Sequence, residues 1–406
     1  MLNRLMLCGW GVGAATLAWG APTVSITSVS QDAASRAVKI AYALAGGPAI
    51  ITCDVCTNGV SVGGAALQHF SGDVNRKLAD GAHAAVWYAP KDLSSVMLSA
   101  SSVSVRLRAW APNTPPDYMV VDLVSGAVRY YPSAEALPDG PVTNDIYKTE
   151  RMAFRRIPSK NVEFRMGTNE SENWDLKNEA ARLVTLTNDY YLAVYPLTQR
   201  QYYNVMGAMP DCNYTADDRG VHPVEQFNAH VNRGEVHWNE NGTVNHSVGS
   251  SGFLSALRTR VGGGAFDYPL EALWEFACRA GCGNNLYEND FGYADLEQWE
   301  NSERLKRLGA HRTGQTMPVG LYPPNRWGLY DMLGNVEEFC LDEYAKDLTG
   351  VDANAGPVGS SGHLVTRGGA YSDEAVKCRT AARVAQSASG WLHIGVRIAC
   401  SCDALP

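Results

Sequence analysis

A proline-dense break, Pro112-Asn-Thr-Pro-Pro116, divides this 406-residue chain into two stretches of different texture. Consecutive X-Pro units disfavour both helix and strand, so neither stretch can run through the break. Before it, residues alternate with period two over Thr23 to Val29, Ala37 to Tyr42 and Val103 to Ala109. Turn clusters at Gly46-Gly-Pro48, Asn58-Gly59 and Gly63-Gly64 punctuate them. Alternation interrupted at this spacing predicts an all-β module over residues 22–111. After the break, short strands mix with long Gly/Asn/Asp-rich loops and a few helical patches. The expected fold class is therefore α+β: linker and lead-in strands over 112–149, then an irregular domain over 150–406. Its clearest helix is Leu270 to Arg279, with Leu273, Phe276 and Ala277 on one face and Pro269 at the first turn.

Six or so strands in about ninety residues suit a sandwich of the immunoglobulin or fibronectin type. Modules of that kind on exported proteins space, dock or bind. The first twenty residues fit export. Arg4 precedes an apolar run from Leu5 to Trp19, and Ala18-Trp19-Gly20 offers small residues ahead of Ala21. The run is too short to span a bilayer comfortably, so the chain is expected to be exported, periplasmic or extracellular, and not an integral membrane protein once residues 1–20 are cleaved. Of ten cysteines, Cys8 leaves with that signal. The other nine meet an oxidising compartment, where pairing is the default. A net charge of −8 argues against nucleic acid as a partner, and 45% hydrophobic content excludes a disordered chain.

Local strings in the second half occur in a recognisable order. Met152 to Pro158 and Phe164-Arg-Met-Gly167 come first. Tyr191 to Gly207 follows, holding Thr198, Gln201 and Tyr202, and then His222-Pro-Val-Glu225. Tyr268 to Gly281, Trp327 to Glu338, Arg367-Gly-Gly-Ala-Tyr371, Cys378 to Arg383 and Gly395-Val-Arg397 complete the set. Together they resemble the formylglycine-generating, or sulfatase-modifying factor, domain family. The resemblance implies an irregular, C-type-lectin-like α+β fold over residues 150–406.

The family's founding enzymes oxidise a substrate cysteine to formylglycine with O₂ at a copper ion held by two cysteines, soft ligands suited to Cu(I). At the matching positions this chain reads Gly368-Gly-Ala-Tyr-Ser-Asp-Glu-Ala-Val-Lys-Cys378. Ser372 or Asp373 stands where the first ligand would be, and nothing stands for the second. The family's serine is Ala370 and the tryptophan of its Gly-Asn-x-Trp-Glu string is Glu337. Copper is therefore not expected, although the family name implies an oxidoreductase. The resemblance also implies a calcium site at Asp331, Gly334, Val336 and Glu338, hard oxygen donors of the kind Ca²⁺ takes. It further implies a Cys278–Cys378 disulfide, which would contribute about 3–5 kcal/mol by loop closure. Cys53, Cys56, Cys212, Cys282, Cys340, Cys400 and Cys402 remain of open pairing.

Other constellations are weaker. Cys53-Asp-Val-Cys56 has redox or zinc spelling but lies in a strand without a second pair, so both read as structural cysteines. His222, His230, His237 and His246 do not share a helix face or a compact ligand loop. Tyr371, Asp373, Arg379 and Arg383 are the cleft candidates, able to bind a polar ligand or an extended peptide. They could equally form a charged network that holds loops. Two readings stand: an exported enzyme of the formylglycine-generating type, or a non-catalytic protein that binds a peptide, glycan or protein ligand on the same fold.

Overall fold

The computed structural model describes residues 21–64, 67–93, 103–168, 178–213, 220–234, 239–240, 243–244, 247–282, 306–354, 362–390 and 392–406. The expected signal at 1–20 lies outside them, as do His237 and His246. The first stretch folds as eight strands: β1 (Thr23–Gln31), β2 (Val38–Ala45), β3 (Ala49–Thr57), β4 (Val60–Ser61), β5 (Phe70–Gly72), β6 (Arg76–Leu78), β7 (Gly81–Trp87) and β8 (Val103–Trp110). A short helix, α1 (Ala89–Asp92), follows β7. One antiparallel sheet runs β1-β2-β7-β5. In the other, β3 pairs with β8 along its length and with β4 and β6.

Alternation decides which side chains meet between these sheets. Ile40, Tyr42 and Leu44 of β2 pack on Ile51 and Val55 of β3 and on Trp87 of β7. The Asn58-Gly59 pair has positive φ at both residues, 52° and 79°, as a two-residue hairpin of type I′ demands.

Beyond the proline break the chain forms β9 (Tyr118–Asp122), β10 (Val128–Tyr131), β11 (Arg151–Ile157), β12 (Val162–Met166), β13 (Arg182–Leu186) and β14 (Tyr190–Ala193). Then come α2 (Gln199–Met206), α3 (Ala229–Arg233), the hairpin β15 (Asn239–Glu240) and β16 (Thr243–Val244), α4 (Phe253–Val261), β17 (Phe266–Asp267) and α5 (Glu271–Arg279). The chain ends in β18 (Glu337–Glu343), β19 (His363–Arg367), β20 (Arg383–Ser387), β21 (Ile394–Gly395) and β22 (Ala399–Ser401). The main sheet has the order β10-β9-β11-β14-β22-β17, so the lead-in strands belong to it.

This sheet is covered on both faces, which is why its strands read as continuous apolar runs. Met119 and Val121 of β9 enter one core with Met152, Phe154 and Tyr191. Tyr118 and Val120 enter a second with Ala153 and Val194. A smaller sheet, β20-β19-β18-β21, carries the loops of interest. Helix α2 starts on a capping box: Thr198 Oγ1 accepts from the Gln201 amide while the Gln201 side chain accepts from the Thr198 amide.

The expected helix at 270–279 forms, but not as an amphipathic surface helix. Glu271, Ala272 and every residue from Trp274 to Arg279 are buried, and Leu273, expected inward, is the half-buried one. Pro269 lies before the helix rather than in its first turn. The two modules touch directly. Ile50, on the face of β3 opposite Ile51, is buried in the second domain's core, worth on the order of 2 kcal/mol. Lys77 Nζ donates to the Leu405 carbonyl (2.6 Å), and the Tyr130 amide to the Asn75 carbonyl (2.8 Å). Among the described residues no helix is long and apolar enough to cross a membrane.

Candidate functional site

Strand β19 runs into Gly368-Gly369, both left-handed, at φ 91° and 68°. A Cβ on Gly369 would stand 2.6 Å from Cys378 Sγ, so only glycine lets this loop fold back on the 375–378 turn. The loop then closes on itself. Asp373 Oδ2 accepts from the Ala370 amide (3.0 Å), and the Asp373 amide donates to the Ala370 carbonyl (3.0 Å). Lys377 Nζ donates to Asp373 Oδ1 at 3.0 Å. The Tyr371 backbone is clamped between the Asn335 carbonyl (2.9 Å) and the Thr313 amide (3.0 Å). Arg312 and Glu374 pair on the exposed rim, 2.8 Å apart.

Under this loop lies Glu337. Its Oε2 accepts from Thr366 Oγ1 (2.5 Å) and Gln386 Nε2 (3.0 Å), and its Oε1 faces His393 Nε2 at 3.6 Å. Burial raises the Glu337 pKa, and the Asp373 carboxylate adds to that rise. Sequence reasoning registered Glu337 only as a departure from a motif and missed His393. Nothing in a lone histidine before Ile394-Gly395 signals that parallel pairing of β18 and β21 will bring it here.

Arg379 and Arg383, expected in the cleft, are not in it. Arg379 forks onto Glu179 at 2.7 and 2.9 Å, and both side chains are buried. Arg383 forks onto Glu271 at 2.5 and 2.7 Å and also donates to the carbonyls of Asn178 and Ala345. Arg367 contacts Glu275 and donates to the carbonyls of Thr380, Ala381 and Ala382. Arg279 also donates to Glu275, at 2.8 Å. Burial alone would raise the Glu275 pKa, but the Arg279 and Arg367 guanidinia overcome it and hold the carboxyl below its usual value. The Glu271 and Glu275 pairs bind helix α5 to Arg383 of β20 and Arg367 of β19, and Arg367 also holds the 380–382 turn between those strands. The charged-network alternative describes Arg379 and Arg383; Tyr371 and Asp373 remain together in the loop.

At the Asp331-to-Glu338 turn, Gly334 has φ 84° and a Cβ there would meet the Ala310 carbonyl at 2.3 Å. Asp331 is fully buried in a left-handed conformation, φ 54°. Its Oδ2 accepts from the Gly320 amide (2.6 Å), while Oδ1 is buried with no hydrogen-bond partner. Burial pushes its pKa up to about 6. Glu338 is different: Arg397 and Trp274 Nε1 (2.6 Å) occupy both its oxygens. Among the described residues no three His, Cys, Asp or Glu side chains converge as a metal site. Asp331 Oδ1 thus remains an unpaired buried oxygen of this turn, whereas both Glu338 oxygens are committed to Arg397 and Trp274.

A model of the sulfatase-modifying factor enzyme 1-like domain matches residues 152–402, more than half of the chain. The chain belongs to this family. Formylglycine-generating enzyme of Mus musculus is 32% identical over 151 residues, covering 34% of this chain and 39% of that protein. The Thermomonospora curvata enzyme is 31% identical over 155 residues, covering 34% and 49%. The chain thus spans less than half the length of these sulfatase-modifying factor relatives. The solved structure of PvdO from Pseudomonas aeruginosa is similar over 61% of this chain and 94% of its own, at 19% identity and a TM-score of 0.48.

Between Gly368 and Cys378 the side-chain donors include a hydroxyl, carboxylates and one thiol, with no second sulfur in that stretch. Ser372 is exposed, and both oxygens of Asp373 are already taken by Ala370 and Lys377. Cys378 is fully buried, and burial, reinforced by Asp373 and Glu337, pushes its thiol pKa far up. The expected Cys278–Cys378 bridge is not formed: both are free thiols within one apolar cluster. Cys53 and Cys56 are also unbonded, and burial pushes Cys53 up to about 12. His222, buried, pairs through Nδ1 with Thr316 Oγ1 at 2.9 Å.

Proposed function

We propose that this chain is an exported member of the sulfatase-modifying factor family that binds a ligand rather than oxidising cysteine. In this reading the immunoglobulin-like module at 22–111 carries or spaces the domain, and the loop at Tyr371 receives a polar ligand or an extended peptide. One observation supports it above the others: where the family places a thiolate, Asp373 closes its own loop through Ala370 and Lys377. A carboxylate held in that way shapes a surface and offers no soft donor. Lys377 and the Arg312–Glu374 rim, exposed beside the buried Tyr371, then supply the recognition chemistry. Calcium, where it binds, enters through Asp331.

The test is direct. The mature protein, loaded with Cu(I) and incubated under O₂ with a Cys-x-Pro-x-Arg peptide, yields no aldehyde by mass spectrometry. Turnover of that peptide would overturn the reading.

A further inference from the structure

Between the outer face of the first module and the second domain lies a cleft of about 550 Å³ that the family comparison does not reach. Its floor is built by register. Antiparallel pairing of β3 with β8 sets Thr52 opposite Arg108, Asp54 opposite Arg106 and Ile50 opposite Trp110. All six therefore share one face of the sheet. Ile50 anchors one end of this face in the second domain's core. The opposite wall is Tyr131, Pro132, Ser133 and Ala136, which follow β10.

Two features make this cleft more than a seam. Arg106 and Arg108 are exposed, and neither forms a salt bridge to a described residue. The Arg108 guanidinium lies over the Trp110 ring at 3.5 Å, which fixes it in the cleft. The Trp110 Nε1–H donates to Thr52 Oγ1 (2.8 Å), fixing the ring in turn. Elsewhere in this molecule, the arginines of the buried framework each meet a carboxylate. The one acid on the face, Asp54, accepts from Ser61 Oγ (2.8 Å) rather than from either guanidinium. Two forks against one carboxylate leave the cleft with net positive charge. Its volume lies in the range of small-molecule sites, and it combines apolar walls with a few fixed polar groups.

We infer that this junction cleft binds a small organic anion, with its oxyanion on Arg106 and Arg108 and its ring or apolar body between Trp110 and the Leu67–Phe70 wall. Planar guanidinium forks match carboxylate, sulfate and phosphate oxygens alike, and the aromatic face accepts the remainder of the molecule. This site goes beyond the loop at Tyr371 and stands or falls independently of it.

Calorimetric titration of the mature protein with benzoate, phenyl sulfate and phenyl phosphate tests the inference, with phenol as the neutral control. At least one anion should saturate, at least about tenfold tighter than phenol, and weaken as salt rises. Which anion binds identifies the oxyanion. Arg106→Ala/Arg108→Ala should cost the anion about tenfold or more and leave phenol unchanged. Arg106→Lys/Arg108→Lys should recover only part, because ammonium groups keep the charge but lose the fork. Both positions are exposed, and unchanged circular dichroism of each variant checks the fold. If no anion saturates below about 10 mM, or the double alanine variant binds like the parent, the inference is wrong.

Discussion

The Arg397 guanidinium closes on Glu338 from two sides, its Nε 3.1 and 3.0 Å from the carboxylate oxygens and its Nη2 2.8 Å from Oε1. The same guanidinium donates to the carbonyls of Ala193, Val194 and Tyr330, so one side chain ties β14 to β18 and to the turn before it. Arg397→Met should therefore destabilise by about 3–5 kcal/mol, because it strands a buried carboxylate. Pairing it with Glu338→Leu should recover part of that loss, since no unpaired charge then remains. Urea unfolding of the two single variants and the double variant measures both effects. Equal losses for the single and double variants would contradict the pairing argument.

Two buried acids set a pH dependence of known sign. Burial pushes Asp331 up to about 6; burial, then the nearby Glu271 carboxylate, pushes Asp342 up to about 7. In the unfolded chain both titrate near 4. Between about pH 4 and those values the folded state holds protons that the unfolded state has released. Their contribution thus makes stability fall as pH rises through that window. Asp342→Asn keeps the acceptor for the Glu271 amide and removes the titration. It should gain on the order of 1 kcal/mol on the parent at pH 8, with no gain below pH 4. Melting curves across pH 3.5–8 read the difference, and a gain independent of pH would refute the assignment.

Calcium gives a separate readout at Asp331. Added Ca²⁺ should raise the melting temperature of the parent and leave Asp331→Ala unmoved, since that change removes the orphaned Oδ1, an unpaired hard donor of that turn. An equal shift in both proteins would place the ion elsewhere.

The cysteines offer a fourth check. Cys278 and Cys378 are fully buried, and burial drives both thiol pKa values far above the usual range. Native protein treated with iodoacetamide should keep both unlabelled, while the same treatment after denaturation should label both. A linked peptide pair in a non-reduced digest would instead restore the bridge that the family resemblance implies.

Much of the fold was legible because its signals are local. The alternation over Ala37 to Tyr42 became β2, the Asn58-Gly59 pair became a hairpin turn, and the proline break lies between β8 and β9. The candidate site was less legible. Glu271 and Glu275, four apart on a helix, have the spacing of a solvated face, yet both are buried against arginines more than ninety residues away. Leu273 shows the converse: an apolar residue at core spacing that the tertiary structure leaves only partly buried, at the margin of two core clusters.

By itself the sequence determined the family, the order of its blocks and a stretch from Ser372 to Lys377 that holds no cysteine. Those are properties of residue identity and spacing, which survive any packing. Only the tertiary structure decided that Arg379 and Arg383 serve as framework, that Glu338 is committed to Arg397, and that Arg106 and Arg108 face an open cleft. Charge pairing depends on which distant strands are brought within about 3 Å. No window along the chain contains that distance.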